Sequence, residues 1–350
     1  MELSNQQILA GLKQGTPFAV ADILSHQGST PRTSGSRMLV RPDGTILGTI
    51  GGGLVEATVR DTCLELISKK TCRIRSFTLN QELKAGLDMV CGGSLTVLME
   101  TLVPSPELIS VFQALVEQEQ AGKKGTLVSR VSGSPEGEFF LEKSLVLPDG
   151  TAIGPCAVPG PLVGDLCRNR FSGTFPTVHS MGLEQFIIQP MPPADTLFIF
   201  GAGHVGFQLA QLAHFTGFAT VVIDDREEFV NEKRFPHARH IRVVSDFANV
   251  FDGLEIDDHV YIVILTRGHL YDQTVLEQAL KTTPAYIGMI GSRTKRKKIY
   301  DNLMEKGVFE EQLNTVYSPV GLSIGAQTPA EISISIMAEI IGVRAGQHVR

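Results

Sequence analysis

The chain has 350 residues, 43% of them hydrophobic and 19% charged, with a formal net charge of −6. Single cores stop growing near roughly 250 residues, so this length predicts two domains, and the apolar content excludes a disordered chain. The acidic balance excludes a broad nucleic-acid footprint, and five cysteines without a CxxC pair exclude both a disulfide framework and a clustered metal site.

Residues 1–14 are polar and mixed in charge, without the positive start and apolar stretch of a signal peptide, which predicts a cytoplasmic chain. The longest apolar runs, such as 261–265, have strand length, so no membrane span is expected. Residues 17–26 and 36–41 read as strands, and Pro42-Asp43-Gly44 turns the second into a returning strand at 45–49. Gly51, Gly52 and Gly53 then open a helix over 54–68, where Leu54, Val55, Val59, Cys63, Leu64 and Ile67 recur at helical spacing. Further strands at 73–79 and 94–102, a helix at 107–120 and a strand pair at 125–131 and 138–147 make residues 1–190 a mixed α/β domain. The stretch 39–45 echoes 145–151, either as a duplication or, in the plainer reading, because Pro-Asp-Gly turn chemistry recurs in hairpins. The proline-rich run from Gln189 to Pro193 reads as a linker that cannot continue sheet pairing.

Residues 195–350 alternate short apolar strands with helices: a strand at 196–200, a helix at 205–216, a strand at 219–224, a helical stretch from Arg226, strands at 240–244 and 261–265, a helix at 271–280 and a strand at 285–290. This alternation predicts a doubly wound, Rossmann-like parallel sheet whose ligand sits beyond the strand carboxyl ends. Those ends carry the residues that core packing does not explain. Gly201-Ala202-Gly203-His204-Val205-Gly206 matches GxGxxG between an apolar strand and an amphipathic helix, so its amides and the helix dipole are placed to receive a phosphate. Asp224 closes the next strand, where a carboxylate would accept ribose hydroxyls. His204 lies inside the turn, either to assist the ligand or as an ordinary exposed loop histidine.

After the later strands, Arg267 and His269 offer a cation and an imidazole for ligand contact or acid/base work, with Asp272 as a helix cap in the plainer reading. Ser292, Arg293 and Lys295 offer a hydroxyl and two cations to a phosphate. In the first domain, the amides of Gly51, Gly52 and Gly53 with Arg32 would build a second anion pocket, whereas Glu56 in the first helical turn has the simpler role of complementing the dipole. Cys91, beside Gly92 and Gly93, is either an exposed reactive thiol or a core filler. No metal site is predicted.

With these pieces in this order, the chain resembles the xanthine dehydrogenase accessory factor (XdhC/CoxI) family. The likeness runs through Gly28-Ser29-Thr30-Pro31-Arg32, Gly51-Gly52-Gly53-Leu54-Val55-Glu56, Cys91-Gly92-Gly93, the glycine turn at 201–206, Thr266-Arg267-Gly268-His269, Ile290-Gly291-Ser292-Arg293 and the segment 319–332. The resemblance implies a cytoplasmic chaperone, expected to be a homodimer, that binds the molybdenum cofactor (molybdopterin), supports its sulfuration with a cysteine desulfurase and inserts it into a xanthine dehydrogenase-type apoenzyme. It also marks Cys91 as the candidate thiol, since the Rossmann half contains no cysteine. The residues alone leave two alternatives open, an NAD(P)-dependent oxidoreductase using Asp224 with His204 or His269, and a nucleotide-sensing regulator.

Overall fold

The computed structural model describes residues 3–28, 30, 32, 34–78, 93–133, 137–168, 176–182 and 184–347. The chain divides into two compact units, Met1–Pro193 and Ala194–Arg350.

The first unit runs α1 (Asn5–Lys13), β1 (Phe18–Gln27), β2 (Arg37–Val40), β3 (Ile46–Gly48), α2 (Gly53–Lys69), β4 (Cys72–Thr78), β5 (Ser94–Leu102), α3 (Pro106–Gln120), β6 (Gly125–Gly133), β7 (Phe139–Val146), β8 (Ala152–Ile153), α4 (Gly160–Cys167), β9 (Thr177–Met181) and β10 (Glu184–Met191). Its strands form one antiparallel sheet in the order β3-β2-β1-β5-β4-β7-β6-β10-β9, with β8 on β7. Alternate residues of β1 separate the two faces: Ala19, Ala21 and Ile23 pack under α2, while Val20 packs with Ile8, Leu12, Phe112 and Leu115 of α1 and α3. On that second face, charged side chains are buried as pairs, Asp22 with Arg37 at 2.7 Å and Glu100 with Lys143 at 2.8 Å, because an isolated charge there would be prohibitively desolvated. The Pro-Asp-Gly turns are built alike, Asp43 and Asp149 each accepting the N–H of the threonine two residues on, at 2.9 and 2.8 Å.

One reading of this region changes. The run from Gln189 is not free of pairing, since β10 continues through Pro190 and Met191 opposite Thr126 and Gly125 of β6. Its other neighbour, β9, pairs only as far as Ile188, so the missing N–H of Pro190 leaves no gap in a ladder. β9 and β10 themselves were not predicted.

The second unit comprises β11 (Thr196–Phe200), α5 (His204–Phe215), β12 (Ala219–Asp224), β13 (His240–Val243), β14 (Val260–Ile264), α6 (His269–Ala279), β15 (Tyr286–Met289), α7 (Arg293–Glu305), α8 (Glu310–Leu313) and α9 (Pro329–Arg344). It is the doubly wound parallel sheet expected from the sequence, in the order β13-β12-β11-β14-β15, with Tyr317 adding one parallel bridge beside Gly288. Leu197 and Ile199 of β11 face α5 and α9, whereas Phe198 and Phe200 face α6, α7 and α8. The strand order reverses at β11, which places the ligand crevice of such a sheet at the carboxyl ends of β11 and β14.

The helical stretch expected from Arg226 is instead a chain of turns. Asn231 closes one of them by accepting the Arg234 N–H on its side chain at 3.2 Å, and Pro236 has no N–H with which to extend a helix.

Candidate functional site

The turn after β11 gives each of its three glycines a distinct reason. Gly201 has φ +123°, and a Cβ there would strike the carbonyl of Leu265, just past the end of β14. A Cβ on Gly206 would strike the Gly201 carbonyl, so this glycine lets α5 lie close against β11. Gly203 differs from both: its φ of −64° suits any residue, and a Cβ would meet nothing within 4 Å. What glycine preserves there is open space, at the N-cap of a helix that no side chain caps and that has no acid in its first turn. Helix-start amides with an open approach form an anion-binding arrangement.

The middle residue of the turn is held from both sides. Asp224 accepts the Ala202 N–H at 2.6 Å, and Arg234 donates to the Ala202 carbonyl at 3.0 Å. Arg234 also donates to the Phe229 carbonyl at 2.6 Å and lies 5.0 to 5.6 Å from the ring centres of Phe207, Phe229 and Phe235. This places a cation beside the turn in a setting that fixes its direction. Arg234 was missed in the sequence; its available signal was an arginine directly before Phe235 and five residues after Phe229, shortly past the acidic strand end.

The role expected of Asp224 is corrected. Its side chain is buried, 2% exposed, and besides Ala202 it accepts the Arg226 backbone N–H at 3.0 Å and the guanidinium fork through Nε and Nη2, each at 2.9 Å. Burial pushes its carboxyl up, but the bonds from Arg226 and Ala202 outweigh it and hold the group below the usual carboxylate range. Asp224 is therefore an ionised brace for the turn rather than a free acceptor for ribose hydroxyls.

Arg267, following β14, is 69% exposed and approaches Asp225 to 4.0 Å. Because β12 and β14 flank β11, this pair links the two strand ends on either side of the glycine turn. His204 and His269 are the first residues of α5 and α6, and the His204 side chain is exposed. Asp272 does not cap α6, whose N-cap is Gly268. Fully buried, it accepts the Thr266 N–H at 3.1 Å and the Thr266 hydroxyl, and it pairs with Lys295 of α7. Burial pushes its carboxyl up, against the opposing pull of Lys295 and Thr266. Lys295 is thus engaged, and the Ser292 hydroxyl accepts the Lys295 N–H at 3.2 Å as the cap of α7. The cationic clamp expected after β15 is reduced to Arg293, which is exposed.

The second anion pocket, at Gly51, Gly52, Gly53 and Arg32, is also corrected. One oxygen of Glu56 accepts the Ile50 and Gly52 N–H groups at 3.1 and 3.2 Å and the Thr49 hydroxyl at 2.5 Å, while Gly51 donates to Thr49 Oγ1 at 3.1 Å. The chain's own carboxylate fills the turn; Arg32 is exposed. Cys91 lies outside the described residues. Burial raises the thiols of Cys63 and Cys72 to about 12, which leaves them protonated and unreactive at neutral pH.

A family model described as the XdhC Rossmann domain matches residues 197–340, and one described as the XdhC and CoxI family matches residues 11–78. The chain belongs to the XdhC and CoxI family. A solved structure described as a xanthine dehydrogenase from Bacillus halodurans is 28% identical, with a TM-score of 0.77 over 99% of this chain and 97% of that one. The molybdenum cofactor insertion chaperone PaoD of Escherichia coli is 23% identical over 344 residues, 96% of this chain and 86% of PaoD. YqeB of Escherichia coli is 27% identical over 332 residues, which is 95% of this chain but 44% of YqeB, so the chain spans less than half of that relative. The family's XdhC-type Rossmann match begins one residue into β11 and includes the whole of the glycine turn.

Proposed function

We propose that this protein is an accessory chaperone that binds the molybdenum cofactor as cargo, supports its sulfuration with a cysteine desulfurase and inserts it into a xanthine dehydrogenase-type apoenzyme. The observation that carries the reading is the open approach to the α5 amides at Gly203, in a family with a relative named as a cofactor insertion chaperone. The cofactor's terminal phosphate fits this turn: the helix start supplies N–H donors and positive potential, no acid stands in the first turn, and Asp224 and Arg234 fix the Ala202 peptide before any ligand arrives. The fit is to the phosphate. The second unit contains no cysteine, and among the described residues no group of three His, Cys, Asp or Glu side chains is placed to hold a metal ion. Any thiol contact with the molybdenum therefore comes from the first unit, where the resemblance marks Cys91, or from a partner protein. The oxidoreductase alternative requires Asp224 to accept ribose hydroxyls, and the engagement of that carboxylate argues against it.

Calorimetry of the full chain with molybdopterin cofactor tests the reading. Saturable binding that slows oxidative loss of the cofactor is expected; no heat and no protection would reject it. Capture of the cysteine desulfurase on the cofactor-loaded chain tests the sulfuration step, which is rejected if the two proteins do not associate.

A further inference from the structure

In dinucleotide-binding folds the acid that closes the second strand accepts a ribose diol, and an arginine nearby accommodates a phosphate on that sugar instead. Asp224 holds the acid's position here. Four N–H donors converge on its two oxygens: Ala202 N at 2.6 Å, Arg226 N at 3.0 Å, and Arg226 Nε and Nη2 at 2.9 Å each. A carboxylate offers about four lone-pair positions, so this one is saturated by its own chain. A vicinal diol approaching it would have to displace the fork of a charge-assisted pair inside a group that is 2% exposed.

Arg226 retains capacity where Asp224 has none. A guanidinium carries five N–H donors; Nε and one Nη2 hydrogen face Asp224, which leaves the Nη1 amino group and the outer Nη2 hydrogen. The ring of Phe229 lies 4.0 Å beneath and fixes the plane of the group. Around the turn stand three guanidiniums, Arg226, Arg234 and Arg267, which balance the carboxylates Asp224, Asp225 and Glu228.

We propose that Arg226 sets the specificity of the glycine-turn site, saturating Asp224 against ribose diols and presenting its remaining N–H edge to a phosphomonoester. The ligand class is then one that is phosphate-ended, rather than diol-ended, beside the turn. This rests on the reading that the turn receives a phosphate and adds which neighbouring group is admitted.

ADP-ribose and 2′-phospho-ADP-ribose carry the same pyrophosphate and differ only in the group that would face Arg226. Isothermal titration of the full chain with each decides the matter. The 2′-phosphorylated probe is expected to bind about tenfold tighter, and Arg226→Gln to remove most of that difference. Equal affinities, or a preference for the diol probe, would overturn the proposal while leaving the phosphate reading of the turn intact. If neither probe binds, the phosphate reading falls and this proposal with it. The wild-type comparison needs no variant, so it stands even where Arg226→Gln fails to fold; a folded Arg226→Gln with the full preference would also overturn it.

Discussion

Two of the glycine turns at helix starts differ in what fills them: one holds the chain's own carboxylate and the other is open. At the Gly51-Gly52-Gly53 turn the amides of Ile50 and Gly52 converge on Glu56, which sits in the first turn of α2. At Gly201-Ala202-Gly203 the first turn of α5 carries no acid, and the carboxylate that does approach, Asp224, binds the side of the turn through Ala202 rather than its mouth. Glycines at a helix start therefore describe a cradle, and the chain's own charges decide whether it is occupied. That distinction is visible in the sequence as the acid at the fourth helical position of α2 and its absence from α5.

The comparison breaks most severely at Gly206. Alanine there would drive its Cβ into the Gly201 carbonyl, backbone against backbone, and overpacking of this kind costs about 3 kcal/mol or more where nothing flexible can yield. Chemical denaturation followed by circular dichroism should show the Ala194–Arg350 unit unfolding earlier, and a wild-type midpoint would contradict the close packing of α5 on β11. Glu56→Ala comes next. Losing a carboxylate that accepts two amides and a hydroxyl should cost about 2 kcal/mol, and it empties the first turn. Formate at high concentration should then restore part of the stability in the variant but not in the wild type. If formate has no selective effect, Glu56 is not acting as a resident anion.

Gly203→Val has the opposite signature to Gly206→Ala. The backbone there accepts a side chain without strain, so the unfolding midpoint should hold, while the branched group fills the approach to the helix amides. Anion affinity should fall at least about tenfold by calorimetry, a change of about 1.4 kcal/mol. Retained affinity would move the ligand away from the turn.

The elements of this site were legible because they are local. An apolar strand, a glycine pattern and an amphipathic helix follow one another within 196–216, and the alternation of short strands and helices implies the parallel sheet. What was illegible depends on distance or on inverted polarity. Arg234 meets Ala202 from 32 residues on, across a stretch of turns that reads as a helix from its spacing alone. Arg226 is two residues from Asp224, yet its fork closes on the carboxylate only because the chain bends after β12. α9 hides its period: Ser333, Ser335 and Glu339 are buried, while Ile334 and Ile341 are exposed. Those polar residues face inward because Ser333 donates to the Val205 carbonyl at 3.1 Å and Glu339 accepts from Tyr286 and Gly321 at 2.5 and 3.0 Å.

The smallest effect separates the brace from the ligand contacts by pH. Asp224 has its carboxyl held below its ordinary value of 3.8 in the folded chain, so the ionised form favours folding. That contribution is fully present above the ordinary value and is lost as pH falls through the lower, folded one. Between about pH 5 and 8 the carboxylate stays charged, Arg226 stays clamped, and the Ala202 peptide keeps its orientation. The wild type should therefore keep the full Asp224 contribution unchanged across that window and lose it only below about pH 4. Asp224→Asn lacks the titrating group, so the difference in stability between wild type and variant should be flat from pH 5 to 8 and shrink in acid. A difference that instead grows as pH falls would mean the carboxyl is protonated in the fold, and the turn would then lack its charged brace.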